Sequence, residues 1–167
     1  MSKELVAIVD EQDRVIGTKP RDELTPDDIV RVSVLWIENS KGEVLLQQRS
    51  LTKKVSPGQW GPAAAGTVES HETYLDNIIK EAEEELGLTD FTPVEVGKRL
   101  AKELDGNFGR IFTFFKTVSD KDVRAFTLQA DEVAQIKWVA KTSILEDVAK
   151  HPKRYVPSAI FWQAMYY

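Results

Sequence analysis

The 167-residue chain contains no cysteine. Disulfides, thiolate metal sites and cysteine nucleophiles are all excluded. Only two histidines are present, His71 and His151, far apart in the chain. No stretch approaches the roughly 18 uninterrupted apolar residues that would mark a membrane span. The opening Met1-Ser2-Lys3-Glu4 runs straight into a strand-like segment, without the apolar stretch and cleavage site of a signal peptide. Internal repeats and low-complexity tracts are missing as well. Positive charge is in deficit, with 22 Lys+Arg against 27 Asp+Glu for a net −5. That balance argues against nucleic-acid and anionic-membrane partners. It leaves a small anionic ligand open, because a local basic patch or a bound metal reverses the field within a site. A cysteine-free, leaderless chain fits a cytoplasmic location.

What is present is an ordinary apolar fraction, 42%, in a length that suits one domain spanning 1–167. Leu5–Val9 and Arg14–Thr18 read as strands around a polar turn, followed by a connector with two prolines from Pro20 to Asp28. Val30, Val32, Val34 and Trp36 alternate as in a half-buried strand, with Glu43–Gln48 as its hairpin partner. A basic loop runs from Leu51 to Gln59, and Trp60–Ala65 reads as a short strand. Thr73–Leu86 is the best helix, with Thr73 and Asp76 set for a capping box and Gly87 for a left-handed stop. Further strands are expected at Val94–Leu100, Ile111–Val118 and Val133–Val139, and closing helices at Thr142–Lys150 and Pro157–Tyr166. The order predicts an α/β (α+β) fold, a mixed central sheet flanked by helices.

On a helical wheel, Leu75, Ile78, Ile79, Ala82 and Leu86 form an apolar stripe, and Glu81, Glu84 and Glu85 a separate acidic arc. Glu83 points elsewhere. Three stacked carboxylates near a helix C-terminus repel one another and oppose the helix dipole, so they call for a cation. An all-oxygen ligand set suits Mg²⁺, Mn²⁺ or Ca²⁺ rather than zinc. The alternative is a solvated acidic face paired with lysines such as Lys80. Gly66, in a run of small residues ahead of the helix, allows backbone to approach a ligand closely. Trp36, Trp60, Phe108 and Trp162 either stack on a substrate or fill the core. Trp60 is the best substrate candidate, and Phe108 and Arg110 sit where a strand could line a pocket. The aromatic C-terminus, Phe161 to Tyr167, either caps the core or forms a homodimer contact.

Gly66, Glu72 and the run Lys80-Glu81-Ala82-Glu83-Glu84-Glu85-Leu86-Gly87-Leu88 resemble the Nudix box, Gly-x5-Glu-x7-Arg-Glu-U-x-Glu-Glu-x-Gly-U, where U is a bulky aliphatic. Lys80 stands in the Arg position and Ala82 in a U position. Lysine keeps the charge but loses the planar fork that grips a carboxylate. The resemblance implies an α/β/α sandwich and Mg²⁺-dependent hydrolysis of a small-molecule diphosphate such as a nucleoside diphosphate derivative, with Mn²⁺ as an alternative metal. It implies Glu84 and Glu85 as main metal ligands, Glu81 as ligand or base, and a contribution from the Gly66 carbonyl. Glu72 takes a structural role, meeting the residue at position 80. Because several Nudix enzymes keep their base outside the box, Glu132 is a second candidate for it.

Most of the chain also resembles isopentenyl-diphosphate-isomerase-like Nudix proteins, through Val9–Gly17 with Arg21, Leu45–Lys54, Pro57–Trp60 and Asp131–Trp138. That resemblance assigns Arg49 and Lys53 to substrate phosphates. The isomerases carry a catalytic cysteine directly before the box glycine, where this chain has Ala65. Their histidine cluster and the acidic pair of their central strand are missing too; Asn107-Phe108-Gly109-Arg110 occupies that strand region. Hydrolysis is thus expected over isomerisation, with a catalytically silent binding module as the other reading, favoured by Lys80 alone.

Overall fold

The computed structural model describes residues 3–105 and 107–167. Among the described residues nine strands form one sheet: Leu5–Val9 (β1), Val15–Pro20 (β2), Ile29–Glu38 (β3), Glu43–Arg49 (β4), Trp60–Gly61 (β5), Ala64–Thr67 (β6), Val94–Ala101 (β7), Gly109–Val118 (β8) and Val133–Ala140 (β9). The central strand is β3. It runs parallel to β8 along its whole length and antiparallel to β6 from Val32 to Leu35. The expected β3–β4 hairpin is a correction: the two strands share one pair, Glu38 with Val44, and then diverge. β3 is taken up by β6 and β8, and β4 pairs with β5 and β9.

β3 is also more buried than its alternation suggests. Val30, Val32, Val34 and Trp36 enter one core, while Ile29, Leu35 and Ile37 enter a second on the opposite face. The polar residue in the second face, Ser33, is satisfied by donating to the Tyr74 carbonyl and the Asn77 side chain. Tyr74–Leu86 (α1) covers that second face. Lys141–Lys150 (α2) and Trp162–Tyr166 (α3) cover the first, giving helix, sheet and helix in layers. The predicted helix from Pro157 starts as a tight 3-10 segment to Phe161, and only its last five residues are α-helical. The C-terminal aromatics cap the core: Trp36 stacks on Tyr166 at 4.3 Å and meets Trp162 edge-on at 5.2 Å. Among the described residues no helix is long and apolar enough to cross a membrane.

α1 begins as its sequence predicts. The Thr73 hydroxyl accepts from the Asp76 amide, and the Asp76 carboxylate accepts from the Thr73 amide. Gly87 ends the helix at φ 64°. Its buried arc is rotated from the predicted stripe. Tyr74, Asn77, Ile78, Ala82, Glu85 and Leu86 are buried, while Leu75 and Ile79 are 45% and 41% exposed. Two polar residues, Asn77 and Glu85, thus occupy positions expected of apolar ones.

Candidate active site

A cavity of about 630 Å³ opens between the C-terminal half of α1, the β3–β6 sheet, the loop after β4 and the segment before β9. Glu81, Glu84, Glu85, Gly66, Arg49, Lys53, Phe108, Arg110 and Glu132 all line it. Trp60 is not among the residues that line it. Its ring packs on the core with the Lys137 ammonium 3.9 Å above it, and its neighbour Gly61 reaches the cavity instead.

The acidic wall is built by close backbone packing. A Cβ added to Gly66 would stand 2.3 Å from the Glu81 carboxyl carbon, so only glycine lets that side chain lie across β6. Glu85 is 6% exposed. Gln47 on β4 donates to it at 2.5 Å and to the Ala63 carbonyl at 3.0 Å. Asn77 links Glu72 at 3.0 Å to the Thr67 carbonyl at 3.1 Å, with a longer contact to Glu81 at 3.4 Å. These polar residues therefore hold the carboxylates rather than the core. Gln47 and Asn77 were missed in the sequence, although a signal existed. Gln47 is in strand phase with Leu45, which packs against α1, and Asn77 lies between helix positions that are apolar.

Burial raises the proton affinity of Glu85 to about 8, and the hydrogen bond from Gln47 only partly offsets it. Burial likewise raises Glu81 to about 7; Lys80 opposes the shift and the Glu84 charge adds to it. Two like-charged groups with such desolvation are stabilised by a shared cation. The donor set is all oxygen, and the Gly66 backbone faces the same cavity. A hard divalent ion fits these residues.

Lys80 reaches two carboxylates, Glu72 at 2.5 Å and Glu69 at 3.3 Å. Burial disfavours the Glu72 charge, but Lys80, the Glu69 amide and Asn77 together hold its carboxyl below the usual range. Glu69, His71 and Glu72 also bring potential ligand atoms within 4.8 Å of one another. Lys80 already pairs with both carboxylates of that group, and His71 is exposed.

Across the cavity stand the cations. The Arg49 Nε donates to the Val55 carbonyl at 3.0 Å. Burial lowers the proton affinity of its guanidinium, and the Glu85 and Glu132 charges counter that. Lys53 is paired with Glu132 at 2.6 Å. The third wall is largely apolar and carries no net charge. It contains Val34, Leu104, Phe112 and Val156, together with Arg110 stacked 4.4 Å over Phe108 and held by both oxygens of Asp105. Glu4, just before β1, and Arg21, in the turn after β2, also line the cavity.

Known proteins resemble this chain over nearly its full length. The family model for the NUDIX domain matches residues 28–159. An uncharacterised Nudix hydrolase of Pseudomonas aeruginosa is 38% identical over 159 residues, 94% of this chain and 89% of the relative. A second, from Escherichia coli K12, is 31% identical over 144 residues, covering 86% and 77% of the two chains. Among solved structures, a Deinococcus radiodurans protein superposes with a TM-score of 0.82 at 21% identity, over 98% of this chain and all of that one. The NUDIX domain of Shewanella oneidensis NrtR, complexed with ADP ribose, gives 0.56 at 16% identity, over 71% of this chain and 75% of that one. These two structures share the layered fold.

Proposed function

This chain belongs to the Nudix family of hydrolases, and on that premise we propose that it cleaves the diphosphate linkage of a nucleoside diphosphate derivative or related organic pyrophosphate. The reading rests on one observation: buried Glu85, half-buried Glu81 and exposed Glu84 line the same cavity as Arg49 and Lys53. Glu81, Glu84 and Glu85 would hold Mg²⁺, with Mn²⁺ as a substitute, and the Gly66 carbonyl would complete the protein's share of ligands. When bound, the cation supplies electrophilic stabilisation of phosphate charge and eases the deprotonation of water.

The chain's own residues do the rest. Arg49 and Lys53 bind and orient the phosphate oxygens through charge-assisted hydrogen bonds. Gln47 and Asn77 keep the acidic side chains in fixed rotamers, so little reorganisation is needed at the moment of reaction. Glu81 or Glu132 takes the proton from the attacking water. One phosphorus–oxygen bond forms and the anhydride bond breaks, with no covalent enzyme intermediate. The neutral wall of Phe108, Arg110 and Asp105 receives the organic group.

The isomerase-like stretches bear on the scaffold, while Ala65 and the lack of cysteine speak against double-bond migration. Lys80 keeps its contacts to Glu69 and Glu72, which supports an active enzyme over a silent binding module. The test is a panel of nucleoside di- and triphosphates, nucleotide sugars, dinucleoside polyphosphates, coenzyme A and prenyl diphosphates, with Mg²⁺ and with Mn²⁺. Turnover is expected for at least one, falling by about 100-fold or more in Glu84→Gln. If nothing in the panel is hydrolysed, and Glu84→Gln leaves ligand binding unchanged, the hydrolase reading fails.

A further inference from the structure

The cations facing the carboxylates are not equivalent. Arg49 uses only its Nε on the protein, donating to the Val55 carbonyl. Among the described residues its two terminal nitrogens have no hydrogen-bond partner, although the side chain lines the cavity. Its fork is left open for a ligand in the cavity. Lys53 is engaged: its ammonium sits 2.6 Å from the Glu132 carboxylate, the same carboxylate that could serve as base. The two loops involved are also joined through the backbone, where the Ser50 amide donates to the Glu132 carbonyl at 2.9 Å. The ion pair can therefore open without separating the loops.

We propose, building on the hydrolase reading, that Lys53 changes partner when substrate binds: it leaves Glu132 for a phosphate oxygen and so releases the Glu132 carboxylate into the cavity. The exchange moves no covalent bond and no proton. A phosphate carries more charge than a carboxylate and offers several acceptor oxygens, so it outcompetes Glu132 for a flexible ammonium. The pair is weak enough to yield, because its side chains are 27% and 34% exposed and remain partly solvated. Glu132 is near enough to Glu85 for its charge to act on that carboxyl, so its release occurs beside the acidic wall. Lys53 is thus a positioning residue that links occupancy of the phosphate site to the availability of a base. With no diphosphate bound, Glu132 is masked.

The test is calorimetric binding of methylenediphosphonate, which cannot be hydrolysed, in Mg²⁺. It uses the parent protein, Glu132→Gln, Lys53→Met and the double variant. Both side chains are partly exposed, so neither substitution opens a core. If Lys53 changes partner, Glu132→Gln tightens binding by about 2–5-fold, since the competitor for Lys53 is removed. Lys53→Met weakens it by about tenfold. In the Lys53→Met background, Glu132→Gln then has no further effect. With a turned-over substrate, Glu132→Gln lowers kcat while the probe binds more tightly, opposite signs that damage to the loop would not give. Unchanged or weaker binding in Glu132→Gln would mean that Lys53 stays on Glu132, and the exchange fails. Equal tightening with and without Lys53 would mean that Glu132 merely repels the anion, which also overturns it. Absence of binding by every variant would defeat the diphosphate reading itself and the exchange with it.

Discussion

Gly66 has no side chain, and Glu81 occupies the space one would need. The atoms in the way belong to a flexible carboxylate, not to backbone, so a methyl group there displaces Glu81 rather than the sheet. Gly66→Ala is expected to melt within a few degrees of the parent and to lose about 100-fold or more in turnover; equal activity would show that Glu81 is free to move. Glu85 makes the second residue-scale prediction. Its folded-state pKa, about 8, lies above the ordinary 4.5, so the folded protein holds a proton that the unfolded chain has released. The stability this gives is complete below the ordinary value and is lost as pH rises through the folded one. In EDTA, Tm should therefore fall from about pH 5 to about pH 8. Glu85→Gln should flatten that fall and melt above the parent at the alkaline end. Added Mg²⁺ should recover the loss in the parent and not in the variant. A metal-free Tm that does not move across this range would refute the argument.

The acidic arc on α1 depends on a well-terminated helix. Both arms of the Thr73–Asp76 box are made, and Thr73→Ala should lower unfolding free energy by about 1 kcal/mol. Mg²⁺ affinity should stay unchanged, because the cap lies more than a turn from Glu81; chemical denaturation and calorimetry measure the two. This helix was legible in the sequence at both ends, since capping is local and each signal sits within a few residues of its effect. The rotation of its buried arc was not. Leu75 and Ile79 lost the inward positions to Asn77 and Glu85, whose partners, Ser33, Thr67 and Gln47, come from three different strands. The same distinction runs through the site. The box residues were visible because their spacing is fixed by one helix and the loop before it. Gln47 depends on β4 lying beside α1, and the Lys53–Glu132 pair on β4 lying beside β9, a contact between segments almost ninety residues apart. The surroundings of Trp60 are tertiary in the same way: Lys137 sits over its ring, which packs against the core.

At the scale of the whole molecule, the sheet is closed on one side by a few C-terminal side chains. Trp162 is fully buried against Trp36 and Tyr155. Trp162→Ala should cost about 3–5 kcal/mol. Trp162→Phe should cost much less, since the indole N–H it deletes has no hydrogen-bond partner among the described residues. Urea titrations of the two variants check the difference, and similar losses would point to a hidden partner for that N–H. The parallel pairing of β3 with β8 has a consequence of another kind. Ile29 pairs with Gly109 and Glu38 with Val118, so the centre of the sheet joins residues about 80 positions apart. Such pairing cannot nucleate locally, and it belongs with topologies that fold in milliseconds to seconds rather than microseconds. During synthesis, β3 must wait for β8 to leave the ribosome before its hydrogen bonds are complete. α1 will already have emerged by then, its cap residues in place but with no finished sheet to lie on.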